Sequence, residues 1–357
     1  MSGINTRAIS SGRPERIPDG PINTAVSLNS TYVSGGDIGY ARYGNDTCKS
    51  LEEAISSLEG GRTLAFSSGM SAISSIFSNI PIGSIIVASN QGYAGVNATL
   101  KKLHDEKKIV ARFVDISNTG EVLANLEDAY MLWIESPTNP RLDVADLSRL
   151  INACKRSNIY VGVDNTFATP INQRPLELGA DISMNSVTKY LSGHSDVLMG
   201  SISTNSNEIY EKLEFSRKIN GSIPGPFESY LALRGLRTFP LRFKKAEESA
   251  KILFKLISDH PIITKVYYPG FGAMISFEID NSPENVDLIC YSSKIITYAT
   301  SLGSVESLWE RRRKWALESP LVSESLVRLS VGCEDVEDLW EDIKNAFDSV
   351  IPIDRKS

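Results

Sequence analysis

Between about residue 50 and residue 203, short apolar runs of four to seven residues alternate with longer amphipathic stretches. The runs occupy 63–66, 84–88, 109–114, 131–134, 159–163, 182–185 and 197–203. Runs this short, bounded by turn residues and rich in Val and Ile, predict strands buried on both faces. That pattern implies a mainly parallel sheet covered by helices on either side. Residues 71–78 and 144–157 have the length of crossover helices, and binding chemistry is then expected at the carboxyl ends of the strands. After Gly235 the pattern turns helical over 241–260, β-like over 264–268 and 273–279, and helical again over 336–349. This predicts a second, smaller α+β domain. The first stretch of the chain is rich in Gly, Ser, Pro and Asn with little periodicity, and reads as an extended arm that needs a surface to lie on. The expected organisation is an arm over 1–45, an α/β domain over 46–238 and a C-terminal α+β domain over 239–357.

Composition narrows the function classes. At 357 residues, 41% hydrophobic and 22% charged, the chain is globular and too long for one small core. A net charge of -6 argues against a general binder of nucleic acid or anionic membrane. The one dense basic run, Arg311-Arg312-Arg313-Lys314, reads as a solvated helix face or loop. Cys48, Cys154, Cys290 and Cys333 are far apart and form no CxxC pair, which predicts neither a zinc site nor a disulfide framework and fits a reducing cytoplasm. The N-terminus lacks a signal-like apolar core, and no apolar run reaches the roughly 18 residues that a membrane span needs. The expectation is a soluble cytoplasmic protein with no metal.

The common cofactor fingerprints are missing: there is no GxGxxG after a strand and no GxxxxGK[ST], and His104, His194 and His260 are scattered. Three other features point to a ligand with a phosphate, an aromatic ring and an aldehyde. In Ser67-Ser68-Gly69-Met70-Ser71-Ala72 a strand passes into a helix, where small residues and the helix N-terminus suit an anion; a Ser-rich helix cap accounts for it as well. In Val161-Gly162-Val163-Asp164-Asn165-Thr166 a strand delivers a carboxylate that could keep a ring nitrogen protonated, or cap a helix. In Asn185-Ser186-Val187-Thr188-Lys189-Tyr190, continuing through Ser192-Gly193-His194, a lysine flanked by hydroxyl residues suits a Schiff-base amine of lowered pKa.

With these motifs the chain resembles the Cys/Met-metabolism family of pyridoxal-phosphate (PLP) enzymes. That trans-sulfuration group includes cystathionine γ-synthase, cystathionine γ-lyase, methionine γ-lyase and O-acetylhomoserine sulfhydrylase. The resemblance runs from about Asn23 to Ala346 and is most specific at ESPTNP (135–140), VDNTFATP (163–170) and SVTKYLSGHSDVLMG (186–200). YARYGNDT (40–47), SLGSVESL (301–308) and RLSVG (328–332) extend it. It implies a fold-type-I, aminotransferase-like α/β architecture with PLP on Lys189, which also shuttles protons. By the same resemblance Asp164 pairs with the pyridinium nitrogen, while Ser186, Thr188 and the backbone of Gly69 and Met70 bind the phosphate. Tyr93 stacks on the ring and joins Lys189 as a candidate catalytic residue. Tyr40 and Arg42 are expected to reach the phosphate of a neighbouring subunit's cofactor, making the arm a docking element of a homo-oligomer, a dimer core and beyond it a tetramer. Arg328 matches the fork for the substrate α-carboxylate, with Asn139 and Ser301 beside it. Taken singly, Arg328 also fits a surface ion pair, Tyr93 core packing and Asn139 a turn.

The implied reaction is γ-replacement or γ-elimination on cystathionine or an O-acyl-homoserine. Alternatives are sulfhydrylation of a homoserine ester, methionine γ-cleavage, β-elimination, or a PLP-binding paralogue without activity. Departures from the family pattern bear on substrate. Gly39, Ala98 and Thr300 stand where cystathionine-specialised relatives carry charge, which predicts little recognition of a distal charged end. Gly95 stands where methionine γ-lyase has its cysteine, and Asp46 replaces a proline. Tyr267-Tyr268-Pro269-Gly270 runs straight into Phe271-Gly272, a shortening expected near the outer rim of the site.

Overall fold

The computed structural model describes residues 2–350; Met1 of the expected arm and 351–357 of the expected C-terminal domain lie outside the described residues. The apolar runs become the strands of a seven-stranded sheet: β1 (Arg62–Phe66), β2 (Ile85–Ser89), β3 (Val110–Val114), β4 (Ala129–Glu135), β5 (Tyr160–Asp164), β6 (Ile182–Asn185) and β7 (Gly200–Thr204). Their order is β1-β7-β6-β5-β4-β2-β3. β7 runs antiparallel to both its neighbours and the other pairs are parallel. Every residue of β6 and β7 is buried, as expected of strands covered on both faces. β7 begins at Gly200 rather than at Val197.

Helices Gly69–Ser78, Ala94–Asp105 and Asn207–Asn220 cover one face of the sheet, through Ile73, Phe77, Leu100 and Leu213. Leu147–Arg156 and Thr119–Ala124 cover the other, through Leu150, Ile151 and Val122. Beyond residue 239, the long helix Phe239–Ser258 leads to a five-stranded sheet. Its strands are β8 (Ile263–Tyr267), β9 (Met274–Ile279), β10 (Thr297–Tyr298), β11 (Leu308–Arg311) and β12 (Leu326–Ser330), in the order β10-β11-β12-β9-β8. The helix Val336–Asp348 packs Leu339, Ile343 and Phe347 onto the same core. That core is continuous across residue 239, since it also takes in Leu51, Ile55 and Leu58 of helix Asp46–Glu59.

The extended arm needs correction at its start. Ile4–Ser10 is a helix with Ala8 fully buried, and Arg237 Nη1 donates to Ala8 O at 2.9 Å and to Ser11 O at 2.6 Å. The short helix owes its stability to the chain's own core, which periodicity over so few residues does not reveal. Past it, up to the cap of helix Asp46–Glu59, the segment forms no helix or strand, only turns and the isolated bridges of Thr31 with Tyr40 and of Ser34 with Gly36. No helix among the described residues is long and apolar enough to cross a membrane.

Gly200 shows how tightly the sheet meets the helix that begins at Gly69. A Cβ there would lie 2.5 Å from Ser68 O and 2.8 Å from Gly69 Cα, both backbone atoms. Gly200→Ala is therefore expected to destabilise the protein by about 1–3 kcal/mol, the range for overpacking a filled interior. Denaturant unfolding checks this, and an unchanged midpoint would mean that helix and strand part more easily than their contact implies.

Candidate active site

At the carboxyl ends of β4, β5 and β6 lies a cavity of about 620 Å³, also lined by Arg328 of the smaller sheet and by Thr300, Ser301, Arg312 and Trp315 from the segments beside it. Its lining includes Gly69, Met70, Tyr93, Asn139, Asp164, Ser186, Thr188, Lys189, Ser301 and Arg328, so ten of the predicted site residues meet in one place. Tyr40 and Arg42 do not. They sit on the N-terminal segment, outside the cavity lining, with the Arg42 guanidinium 5.3 Å from the ring centroids of both Tyr40 and Tyr43.

The helix at Gly69 opens on a reciprocal cap: Ser68 Oγ accepts from Ser71 N, and Ser71 Oγ from Ser68 N, each at 3.0 Å. The bland reading of this segment as a Ser-rich cap is thus correct, and it leaves the first N–H groups of the helix free at the cavity wall. Ser186 lies beside them, since a Cβ on Gly69 would stand 3.3 Å from its Oγ. Thr188 also lines the cavity, but its hydroxyl donates to Met199 O at 3.1 Å and accepts from Met199 N at 2.8 Å.

Glu135 ends β4 directly beside Asp164 at the end of β5. Burial, followed by repulsion from Asp164, pushes the Glu135 carboxyl well above its usual range, and burial raises Asp164 too. Glu135 Oε2 accepts from Tyr93 N at 2.6 Å and Oε1 from Asn139 N at 2.8 Å. Asp164 accepts from Thr166 N at 3.0 Å and has no salt-bridge partner among the described residues. The Tyr93 ring packs where position 95 has no side chain: a Cβ on Gly95 would meet its Cε1 at 2.8 Å, so a cysteine there would displace it.

Lys189 Nζ donates to Ser301 Oγ at 2.9 Å. Burial, helped by the charge of Arg328, lowers its pKa from 10.5 to about 8, against an opposing pull from Glu310. Ser301 holds a φ of 125°, a strained value for a residue with a side chain, at the point where it bridges Lys189 and Arg328. Arg328, on β12, donates from Nη1 to Asn139 Oδ1 at 2.8 Å and from Nη2 to Ser301 O at 3.2 Å and Glu310 Oε1 at 2.9 Å.

The basic run is where the sequence reading fails. Arg311 and Arg312 are buried: Arg311 pairs with Asp287 at 2.8 Å, and Arg312 with Glu310 and, at 2.7 Å, with Glu318. Arg313 and Lys314 also have acidic partners, Glu324 at 3.0 Å and Glu310 at 3.4 Å. Local composition shows Glu310 and Glu318 flanking the run, but not that the fold buries them with it or that the distant Asp287 and Arg328 join the cluster. Arg312, Trp315, Ala316 and Leu317 line the cavity, with Leu198. Of Gly39, Ala98 and Thr300, only Thr300 does, and its Oγ1 donates to Glu310 Oε2 at 2.9 Å. No residue of the shortened 267–272 segment is part of the lining. Sequence reasoning missed Glu310, Arg312 and Trp315, and left Glu135 without a role although it opens the ESPTNP motif.

The profile of the family "Cys/Met metabolism PLP-dependent enzyme" matches residues 5–348. A cystathionine gamma-lyase of Bacillus subtilis is 37% identical over 340 residues, covering 87% of this chain and 89% of the relative. A cystathionine gamma-synthase of Mycobacterium tuberculosis is 34% identical, covering 97% of each chain. The crystal structure of a cystathionine gamma-lyase from Lactobacillus plantarum, complexed with L-serine, superposes with a TM-score of 0.93 at 31% identity over 98% of this chain and 99% of that one.

The depressed Lys189 pKa has a direct readout. In protein stripped of bound small molecules, acylation of Lys189 should rise with pH through a midpoint near 8 instead of 10.5, because the neutral amine is the nucleophile. Peptide mapping of the modified lysine gives the curve. A midpoint above pH 10 would show that the cavity does not favour the neutral amine.

Proposed function

Since the chain belongs to the Cys/Met metabolism PLP-dependent enzyme family, and is thus a PLP-dependent enzyme, we propose that it catalyses γ-replacement or γ-elimination on cystathionine or an O-acyl-homoserine. The observation that carries this reading is the pairing of a proton-accepting amine with a carboxylate anchor. Lys189 Nζ and Arg328 Nη2 both bond to Ser301, through its hydroxyl and its carbonyl, at 2.9 Å and 3.2 Å.

The residues fit PLP on their own chemistry. Asp164 is a buried carboxylate without a cation, which suits a protonated ring nitrogen. The N–H groups at Gly69 and Met70, with Ser186, suit a phosphate. Thr188 suits it less in this arrangement, because its hydroxyl proton is committed to Met199 O. Tyr93 would cover the ring face, and Lys189 would hold the aldehyde. When bound, PLP supplies an electron sink for charge released at the substrate α-carbon.

The chain's own groups divide the remaining work. Arg328 and Asn139 would fix the α-carboxylate and so set which face of the α-carbon meets Lys189. Lys189 Nζ, with a pKa lowered to about 8 and so half-neutral near that pH, would accept the α-proton and return it. A second proton leaves the β-carbon as the γ-substituent departs. Addition of a thiol then completes replacement, whereas water and loss of ammonia complete elimination to a 2-oxo acid. A second reading, sulfhydrylation of a homoserine ester or cleavage of a short thioether, draws support from the distal wall. There Leu198, Trp315, Ala316 and Leu317 are uncharged, and the charge of Arg312 is already matched by Glu310 and Glu318.

We further propose an obligate dimer core, assembled as a dimer of dimers, in the reducing cytoplasm. Arg42 Nε is buried without an acceptor, and Ile22, Leu28 and Val33 expose apolar side chains along the same segment. The described cysteines are all free.

Four measurements test these proposals. Lys189→Ala should remove the absorbance of bound cofactor and turnover while leaving the fold intact, and turnover near the parent rate would overturn the assignment. Arg328→Ala should weaken cystathionine, O-acetylhomoserine and O-succinylhomoserine alike, by about 2–5 kcal/mol in kcat/KM, the cost of breaking a buried charge pair. Product analysis on the same panel, with and without cysteine or sulfide, separates replacement from elimination, and a strong preference for cystathionine would contradict the second reading. Sedimentation at assay concentration should show no active monomer.

A further inference from the structure

The carboxylate that faces Arg328 belongs to the protein itself. Glu310 on β11 stands opposite Arg328 on β12 in register, and its side chain is almost wholly buried. Its Oε1 accepts from Arg328 Nη2 at 2.9 Å and from Arg312 Nη1. Its Oε2 accepts from Thr300 Oγ1 at 2.9 Å and Trp315 Nε1 at 3.1 Å, with Lys314 Nζ 3.4 Å away. Burial works against the charge, but Arg328 and Arg312 outweigh it and hold the Glu310 carboxyl below its ordinary range. Arg312 is held from the other side, its Nε and Nη2 donating to Glu318 Oε2 at 3.0 and 2.7 Å.

We propose that Glu310 is a positioning residue that occupies Arg328 as a resident competitor and yields it to the substrate carboxylate. This rests on the reading of Arg328 as the substrate-carboxylate anchor. A buried guanidinium left alone is costly, so an empty site needs a counter-charge. Glu310 supplies one and can release it, because Arg312, Thr300, Trp315 and Lys314 still satisfy its oxygens once Arg328 turns to a ligand. Neither the guanidinium nor the carboxylate is then stranded at any stage of the exchange. The net gain from a carboxylate alone is small, since one charge-assisted pair replaces another. Retention therefore depends on the amine end of the ligand, and the site discriminates against simple carboxylates of the same length. The basic run that looked like a solvated face is what lets Glu310 be displaced.

Binding of butanoate, an amine-free carboxylate, to the holoenzyme tests this by titration calorimetry, without any turnover. Glu310→Gln, which keeps the shape and removes the competing charge, should bind butanoate at least about tenfold more tightly than the parent, an exchange of about one strong hydrogen bond. Glu318→Gln removes the same charge from the same cluster without touching Arg328, and should gain much less. A gain in both alike would mean general electrostatic attraction and overturn the proposal, as would unchanged or weaker binding in folded, cofactor-loaded Glu310→Gln. If that variant fails to fold, Glu310→Asp is the substitute. It keeps a charge for Arg312 but is one methylene too short to bridge both guanidinia, and it must also bind butanoate more tightly. Arg328→Ala separates the two readings. If the Glu310→Gln gain persists with Arg328 also replaced by Ala, Arg328 is not the carboxylate anchor; if the gain is absent while Arg328→Ala alone still loses affinity, only the role of Glu310 falls.

Discussion

Two carboxylates stand side by side at the ends of β4 and β5, buried and without a cation among the described residues, and the rest of the site is arranged around them. In a low-dielectric interior such a pair cannot hold two charges without compensation. Half the compensation is internal. Glu135 takes one N–H from Tyr93 and one from Asn139, which ties the loop after β2 to the loop after β4. Asp164 keeps only its local bonds from Thr166, so it is the group with most to gain from a bound cation. A protonated pyridine nitrogen is such a cation, and a cofactor that supplies it stabilises the fold to which it binds. Burial that is unfavourable in the empty protein thus becomes part of the cofactor's affinity.

The smaller sheet answers with charges of the opposite sign. Its antiparallel strands bring Arg328 into register with Glu310, and the same arginine reaches Asn139 on the loop from the larger sheet. β9 fastens that loop a second time, through Ser276 Oγ donating to Pro140 O at 2.6 Å. With a core continuous across residue 239, the two sheets hold Lys189 and Arg328 at a set separation. A base and an anchor must keep such spacing if one is to act on the atom that the other holds. Ser301, strained and bonded to both, is the shortest link between them.

The wall built by residues 312–317 bears on specificity. Arg312 stands in the cavity lining, yet its charge is taken up by Glu310 and Glu318. A charged side chain in a pocket is not by itself an offer of charge to the ligand. Here it serves other protein groups, and the neighbouring lining of the cavity includes the uncharged Trp315, Leu317 and Leu198.

Much of this was legible in the chain. The short apolar runs located every strand of the large sheet, since strands buried on both faces leave an unmistakable local pattern. Lys189, Asp164 and the Gly69 turn were legible because each sits where such a strand ends, and because their motifs match a known family. Other features were settled only by tertiary structure. The helix Ile4–Ser10 is too short to declare itself and exists by packing on a core made of distant residues. β12, which carries Arg328, was seen as a motif but not as a strand. The basic run looked like surface charge and Glu310 beside it drew no reading, because the burial of a charged residue depends on which partners the fold brings to it. The sequence by itself thus determined the sheet, from local pattern, and through its motifs ten of the residues that meet in one cavity at the strand ends. Which charges are exposed, which are paired and which await a ligand was decided by the tertiary structure, because no local pattern records the burial of a charge or partners as distant as Asp287 for Arg311 and Arg328 for Glu310.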